Sequence, residues 1–228
     1  MFNCTRESLP DWLILFTRYF PAVLIATALR VELLAAYHSA REIAGYYQAL
    51  AFLHRGLASY TFLTPAESFS ALHLHSLLSS PFLAVGYIEG GRAVSFLAAL
   101  VAVTVISRLG SQYWGRQGAI FAPLWLWAQP FFIVFSFVFM PEALSIALTS
   151  GSVLALLTAA ETDSVWWYTG ALALLTLGVT NHMWEATIAL PLTVLAYFHW
   201  GWKRAAGVIL TTVLTVGIVL IIGNLQPE

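Results

Sequence analysis

Charge is the scarcest property of this chain. Only 9% of its residues are Asp, Glu, Lys or Arg, against about a quarter in an average protein. A soluble domain could not cover its surface from that supply, and a disordered chain carries far fewer apolar residues, so both classes are excluded. Basic residues are in no excess either. The formal net charge is −1 and the only adjacent basic pair is Lys203–Arg204, which leaves no electrostatic case for nucleic acid. Cysteine is single, Cys4, so no internal disulfide can form. The alternating apolar and polar decamers of an outer-membrane barrel are missing, as are low-complexity tracts and short repeats. The N-terminus has Arg6, Glu7 and Asp11 ahead of an apolar stretch without a small-residue cleavage site, and reads as a retained first span.

What is present is apolar sequence in long runs. Sixty per cent of the residues are hydrophobic (60%) and mean hydropathy is +0.80. A bilayer core needs about 20 mostly apolar residues per helix. The pattern predicts an all-α, polytopic transmembrane helical bundle, a single membrane domain over 1–228, with about seven spans. The first span is read at 12–37, the second at 91–109, the third at 117–139 with a break near Pro130, and the fourth from Pro141 to 160. The fifth is read at 165–180, the sixth at 184–199 and the last at 205–223. A short apolar helix at 73–88 ends at "EGGR". Pro123 and Pro130 each remove a helix hydrogen bond, so the third element should be bent or split. The polar-aromatic segment 38–72 holds Ile43, Tyr46, Tyr47, Leu50 and Leu53 at helical spacing, which suits a helix lying along the membrane interface.

The distribution of Lys and Arg favours a cytoplasmic N-terminus, with Arg6, Arg108, Arg116 and Lys203–Arg204 inside. Glu42, His73, His75, Glu89, Arg92, Glu142, His182 and Glu185, from four segments, then all fall at the outer face. Ionisable groups at membrane depth face a protein interior or a wet cavity and are functional candidates. Each also has a plainer reading. Pro141 and Glu142 in "MPEAL" make an ordinary helix start, with an acid complementing the dipole. Arg92 either snorkels to headgroups or binds a phosphate. In "TNHMWEA", Asn181 can cap the sixth helix. His182 and Glu185 share a helical face and could bind a divalent cation, but two ligands are too few to define a site, so no metal is assigned and a divalent cation stays open as a cofactor. His73 and His75 point apart on a helix. Arg30 and Glu32, two apart in the first span, each need a partner elsewhere.

The order of these motifs resembles the GT-C class of integral-membrane glycosyltransferases, especially the family 39-like, mannosyltransferase-type enzymes that use polyprenyl-phosphate sugars. The resemblance is carried by Arg30 near the end of the first span; by Glu42, Tyr46 and Gly56 in the first loop; by "HSLLSSPFLAVGYIEGGR"; by the Ala/Trp-rich third span broken at Pro130; and by "MPEAL" and "TNHMWEA". It implies Glu42 as the base candidate, Arg92 or His75 as contacts to a lipid-linked phosphate, and Glu142 near the acceptor or the sugar. Arg30, Tyr46, His182 and Glu185 complete the implied substrate-binding set. The chain departs from the family pattern in having Glu42–Ile43 where an Asp-Glu pair is usual, and proline only at Pro81 after His75. Relatives of this class have more spans. The expectation is therefore the N-terminal membrane part of such a fold, or a chain completed by a partner.

The resemblance thus implies sugar transfer from a polyprenyl phosphate to an acceptor hydroxyl, in an integral protein of the cell (plasma) membrane with a non-cytoplasmic active face. Its partners would be the lipid-linked sugar phosphate and membrane lipids. Two alternatives stand beside it. A transporter or flippase is suggested by broken helices and by Arg30 within a span. A non-catalytic subunit of a split enzyme is suggested by the short length.

Overall fold

The computed structural model describes residues 11–29, 40–55 and 74–224. Nearly all of these residues are helical, and no strand occurs among them. The helices are α1 (Asp11–Leu29), α2 (Ala40–Arg55), α3 (Leu74–Trp127), α4 (Pro130–Phe137), α5 (Glu142–Thr162), α6 (Val165–Asn181), α7 (Ala189–Trp200) and α8 (Trp202–Asn224). A 3₁₀ turn, Met183–Ile188, separates α6 from α7. The sequence explains the apolar character on every side: three stretches, Glu89–Trp127, Glu142–Thr162 and Trp202–Ile221, are long and apolar enough to cross a bilayer.

The 54 residues of α3 do not form one rod. A straight helix would separate positions twelve apart by about 18 Å and positions twenty apart by about 30 Å. Yet Ser107 Oγ donates to the Ala119 carbonyl at 2.6 Å, and His75 Nε2 lies 2.8 Å from Ser95 Oγ. The chain therefore reverses twice, once between positions 82 and 90 and once at Gly115, whose φ of +59° is the left-handed conformation that glycine alone adopts without penalty. The legs beside Gly115 approach so closely that a Cβ on Gly110 would lie 2.3 Å from the Gly118 carbonyl oxygen. In sequence these legs correspond to the second span and to the first part of the third span read from the hydrophobic runs.

Proline acts differently at its two sites in this region. Pro130 starts α4 after an extended Gln129, so the helix breaks there as expected. Pro123 is buried inside α3 without ending it. The sixth span differs from expectation. Residues 183–188 form the 3₁₀ turn, and α7 has only 12 residues, about 18 Å long and short of a bilayer core. The physical reason lies at Asn181 and His182, where α6 stops on an extended His182.

Two larger apolar cores and one smaller one hold the described residues together. In one of the larger two, Ala98, Ala99, Ala102 and Val103 of α3 meet Ala22 of α1, Ala143 and Ala147 of α5, and the aromatic rings of Trp127, Phe132 and Phe137. In the other, Ala155 and Leu156 of α5 pack on Ala171, Leu175 and Val179 of α6, Leu192 and Ala196 of α7, and Ala205 and Val208 of α8. Small side chains let membrane helices approach closely, where packing rather than hydrophobicity drives association. Larger apolar residues such as Val101, Phe121, Phe198, Val213 and Leu214 face outward.

Pairings along α1 show it running antiparallel to the middle leg of α3, Arg18 with Ser107 and Tyr19 with Thr104, with Asp11 meeting Arg116 just past the turn at Gly115. One end of the bundle gathers several charged pairs among the described residues. Arg116 Nη2 lies 2.6 Å from Asp11, Gln112 reaches Glu161, and Arg204 Nη1 lies 3.3 Å from Asp163. Exposed Trp12, Trp114, Trp166 and Trp202 surround this end and Trp184 marks the other, a distribution suited to two membrane interfaces.

Candidate functional site

At the end away from those ion pairs, five segments meet through polar side chains. Asn181, the last residue of α6, is wholly buried. Its Oδ1 accepts the backbone N–H of His75 at 3.0 Å, and its Nδ2 donates to the Pro141 carbonyl at 3.0 Å and to Ser145 Oγ at 2.9 Å. The partners fix the amide's orientation: an N–H can only donate and a carbonyl can only accept. His75 is the second residue of α3, so its N–H has no partner within the helix. The Pro141 carbonyl also accepts Ser145 N at 2.9 Å, the first bond of α5. Asn181 therefore caps one helix and pins the start of another. It does not cap the following turn, whose N-cap is His182 with no side-chain bond.

His75 is 1% exposed, with its ring edge-on to Phe139 at 4.9 Å. Ser95 Oγ donates to the Met140 carbonyl at 3.2 Å. The same hydroxyl lies 2.8 Å from His75 Nε2, the tautomer of the ring setting which of the two donates, and it accepts from Met140 N–H at 3.4 Å. These bonds tie the irregular residues 138–141 to two legs of α3. Glu142 follows directly as the first residue of α5 and is half-buried. Arg92, one turn before Ser95 on the same leg, is 8% exposed and so packs inside rather than reaching to headgroups.

Glu185 lies in the 3₁₀ turn, outside the spanning helices. Its Oε2 accepts from Thr149 Oγ1 of α5. Burial pushes its carboxyl up from the ordinary value, opposed by hydrogen bonds from Thr149 and Ser145 and by the imidazole of His182. His182 and Glu185 are thus neighbours, though on a turn and not on a helix face. Among the described residues, no three His, Cys, Asp or Glu side chains gather as metal ligands.

The remaining sequence candidates divide by position. Glu42 belongs to α2, but its side chain lies outside the described part of the structure. Tyr46 packs, partly buried, with Ala49, Leu83 and Phe139, and its ring meets Tyr47 edge-on at 5.7 Å. Helix α2 is thereby docked on α3 and Phe139, as well as exposing Tyr47. Glu89 is exposed. Arg30, Glu32, Glu67 and His73 lie outside the described residues; α1 ends at Leu29, having run toward the end that holds His75. Ser95, Ser145 and Thr149 were not legible as site residues, because a small hydroxyl in a membrane helix is as often a packing residue.

A model of the dolichyl-phosphate-mannose-protein mannosyltransferase family matches residues 75–226. The match begins at His75 and takes in Arg92, Glu142, Asn181, His182 and Glu185, while Arg30, Glu42 and Tyr46 precede it. No curated protein and no solved structure matches the chain.

Proposed function

The chain belongs to the dolichyl-phosphate-mannose-protein mannosyltransferase family, and from that premise we propose that it moves a sugar from a polyprenyl-phosphate donor to an acceptor hydroxyl, at the end of the bundle where α3 and α5 begin. The family is one of GT-C-type membrane glycosyltransferases that draw their sugar from a lipid-linked phosphate. The observation that carries the reading to this end is the burial of Arg92 one turn from Ser95, in a region braced against the segment that delivers Glu142.

In the proposed reaction the bond from the sugar's C1 to the donor phosphate breaks, and a bond from C1 to the acceptor oxygen forms. The phosphate departs with added negative charge, which the guanidinium groups of Arg92 and Arg30 would stabilise. The acceptor proton passes to a carboxylate. Glu42 is the first candidate for that base. Glu142, at the start of α5, would orient the acceptor, with Tyr46, His182 and Glu185 lining its approach. His75, fully buried and bonded to Ser95, would act by holding the region in shape. The active face is proposed to be non-cytoplasmic, following the Lys and Arg bias.

The test is transfer in lipid nanodiscs from polyprenyl-phosphate mannose, glucose or arabinose to hydroxylated acceptors. Glu42→Gln and Glu142→Gln should each lower turnover about 100-fold or more while the protein stays folded. Wild-type turnover in both removes the assignment. Solute uptake by proteoliposomes without sugar transfer would favour a transporter, to which the breaks at 128–129 and 182–188 also answer. Activity regained only with a second chain would identify a split enzyme.

A further inference from the structure

We infer that Asn181 is a positioning residue for this reaction, acting through Glu142, an inference that rests on the function proposed above. Its side chain makes three hydrogen bonds to two elements that are distant in sequence, and it uses both the donor and the acceptor ends of the amide. One bond supplies the N–H of His75, at the start of α3, with the acceptor that the helix cannot provide. The other two hold the Pro141 carbonyl and Ser145 Oγ, one residue before Glu142 and three after it. Glu142 is thus set between two points that Asn181 grips. No other residue type of this size supplies both functions. Leucine fills the volume but leaves the N–H, the carbonyl and the hydroxyl without this partner. Aspartate can accept from His75, yet it turns a second lone pair toward the Pro141 carbonyl.

The brace also explains why α6 ends where it does. The following residues, His182 and the turn with Glu185, are held at the same place by the Glu185 bond to Thr149, one helical turn beyond Ser145 on α5. The starts of α3 and α5 and the end of α6 therefore keep one relative geometry, and the reacting groups inherit it.

The experiment uses the full chain in lipid nanodiscs, in a Cys4→Ser background. Nitroxide labels are placed through Leu77→Cys and Trp184→Cys, two exposed positions on either side of the brace. Pulsed electron resonance should give a narrow distance distribution with Asn181 present, a broad one for Asn181→Leu, and an intermediate one for Asn181→Asp. In transfer assays Asn181→Leu should lower kcat about 30-fold with the donor KM held within about threefold, and Asn181→Asp should recover part of the loss. In a Glu142→Gln background the same Asn181→Leu change should cost less than about threefold, since its route to the reaction is already cut. Unchanged distances, a kcat loss matched by loss of folded protein, or full multiplication of the two effects would each overturn the inference. If the wild-type chain transfers no sugar, the functional reading fails, and the distance measurement alone decides against or for the brace.

Discussion

Ser107 donates its hydroxyl hydrogen to the carbonyl of Ala119 at 2.6 Å, across a reversal of the chain inside what is locally continuous helix. The same hydroxyl accepts from Arg18 Nε of α1 at 2.7 Å, and Trp127 Nε1 donates to the Arg18 carbonyl at 2.9 Å. Three passes are thereby tied together within the membrane part of the bundle by polar groups that satisfy one another. Such a joint depends on the turn that makes it, and the turn depends on Gly115.

A side chain at Gly115 should be expensive for conformational reasons alone, because no atom lies near the position a Cβ would take. Gly115→Val should cost about 1–2 kcal/mol, the penalty of the left-handed region for an ordinary L-residue, and somewhat more for a β-branched one. Gly115→Asn, which tolerates that region, should cost less than Gly115→Val. Reversible denaturation in mixed micelles measures both. Equal costs would mean the turn does not need its positive φ.

This turn also shows what was legible in the sequence. Two apolar runs separated by "SRLGSQYWGRQG" announced two spans, because glycine, arginine and glutamine together leave the hydrocarbon region. The break at Pro130 and the helix start at Pro141–Glu142 were legible for the same local reason: proline has one place in a helix where it fits well. The sixth span, read at 184–199, is divided between a 3₁₀ turn and a 12-residue helix, a division that hydropathy along "MWEATIALPLTVLAYFHW" cannot register. Asn181, which ends α6, was seen as a residue type but given the wrong helix to cap. Its partners His75 and Pro141 lie far away in sequence, so no local pattern could pair them. Among the charged candidates, Arg92 and Glu142 were visible because charge is so rare here. Ser95 and Ser145 were hidden among ordinary small residues.

Two buried serines make opposite predictions. Ser79 is 0% exposed and its hydroxyl has no hydrogen-bond partner among the described residues. Ser79→Ala removes that unmet group and should raise stability, by up to about 1 kcal/mol. Ser95 is equally buried but serves both His75 and Met140. Ser95→Ala should cost about 1–3 kcal/mol, because it leaves buried partners behind. Unfolding midpoints of the two variants in one detergent would test the contrast, and a shift in the same direction for both would contradict it.

At the charged end, the ion pair matters less than the neighbouring phenol. Asp163 is largely exposed and bonds Arg204 at 3.3 Å and Trp200 Nε1 at 3.0 Å. Asp163→Asn keeps a residue that tolerates its φ of +48° and should change stability by less than about 0.5 kcal/mol. Tyr168 donates to the Arg204 carbonyl at 2.6 Å and lies, with Trp200, under the Arg204 guanidinium. Tyr168→Phe keeps the ring and leaves that carbonyl unmet, so it should cost about 1 kcal/mol. Thermal unfolding at low and high salt separates the two: only the small Asp163 effect should shrink further with salt.

The strongest demand on the proposed chemistry falls on Arg92. A guanidinium presents a planar fork to a phosphate, whereas an ammonium offers a compact point charge. If Arg92 meets the departing lipid phosphate, charge alone should not replace it. Arg92→Lys and Arg92→Met should then both lose about 100-fold or more in kcat/KM for the polyprenyl-phosphate donor, with Lys recovering no more than about tenfold over Met. Binding of the acceptor, measured by its KM in Arg92→Lys, should stay near that of the wild type. Because a buried guanidinium also supports the fold, each variant is first compared by tryptophan fluorescence and size exclusion in nanodiscs. A folded Arg92→Met protein with wild-type kcat/KM would remove Arg92 from the site, and with it the main reason for locating the donor phosphate at this end of the bundle.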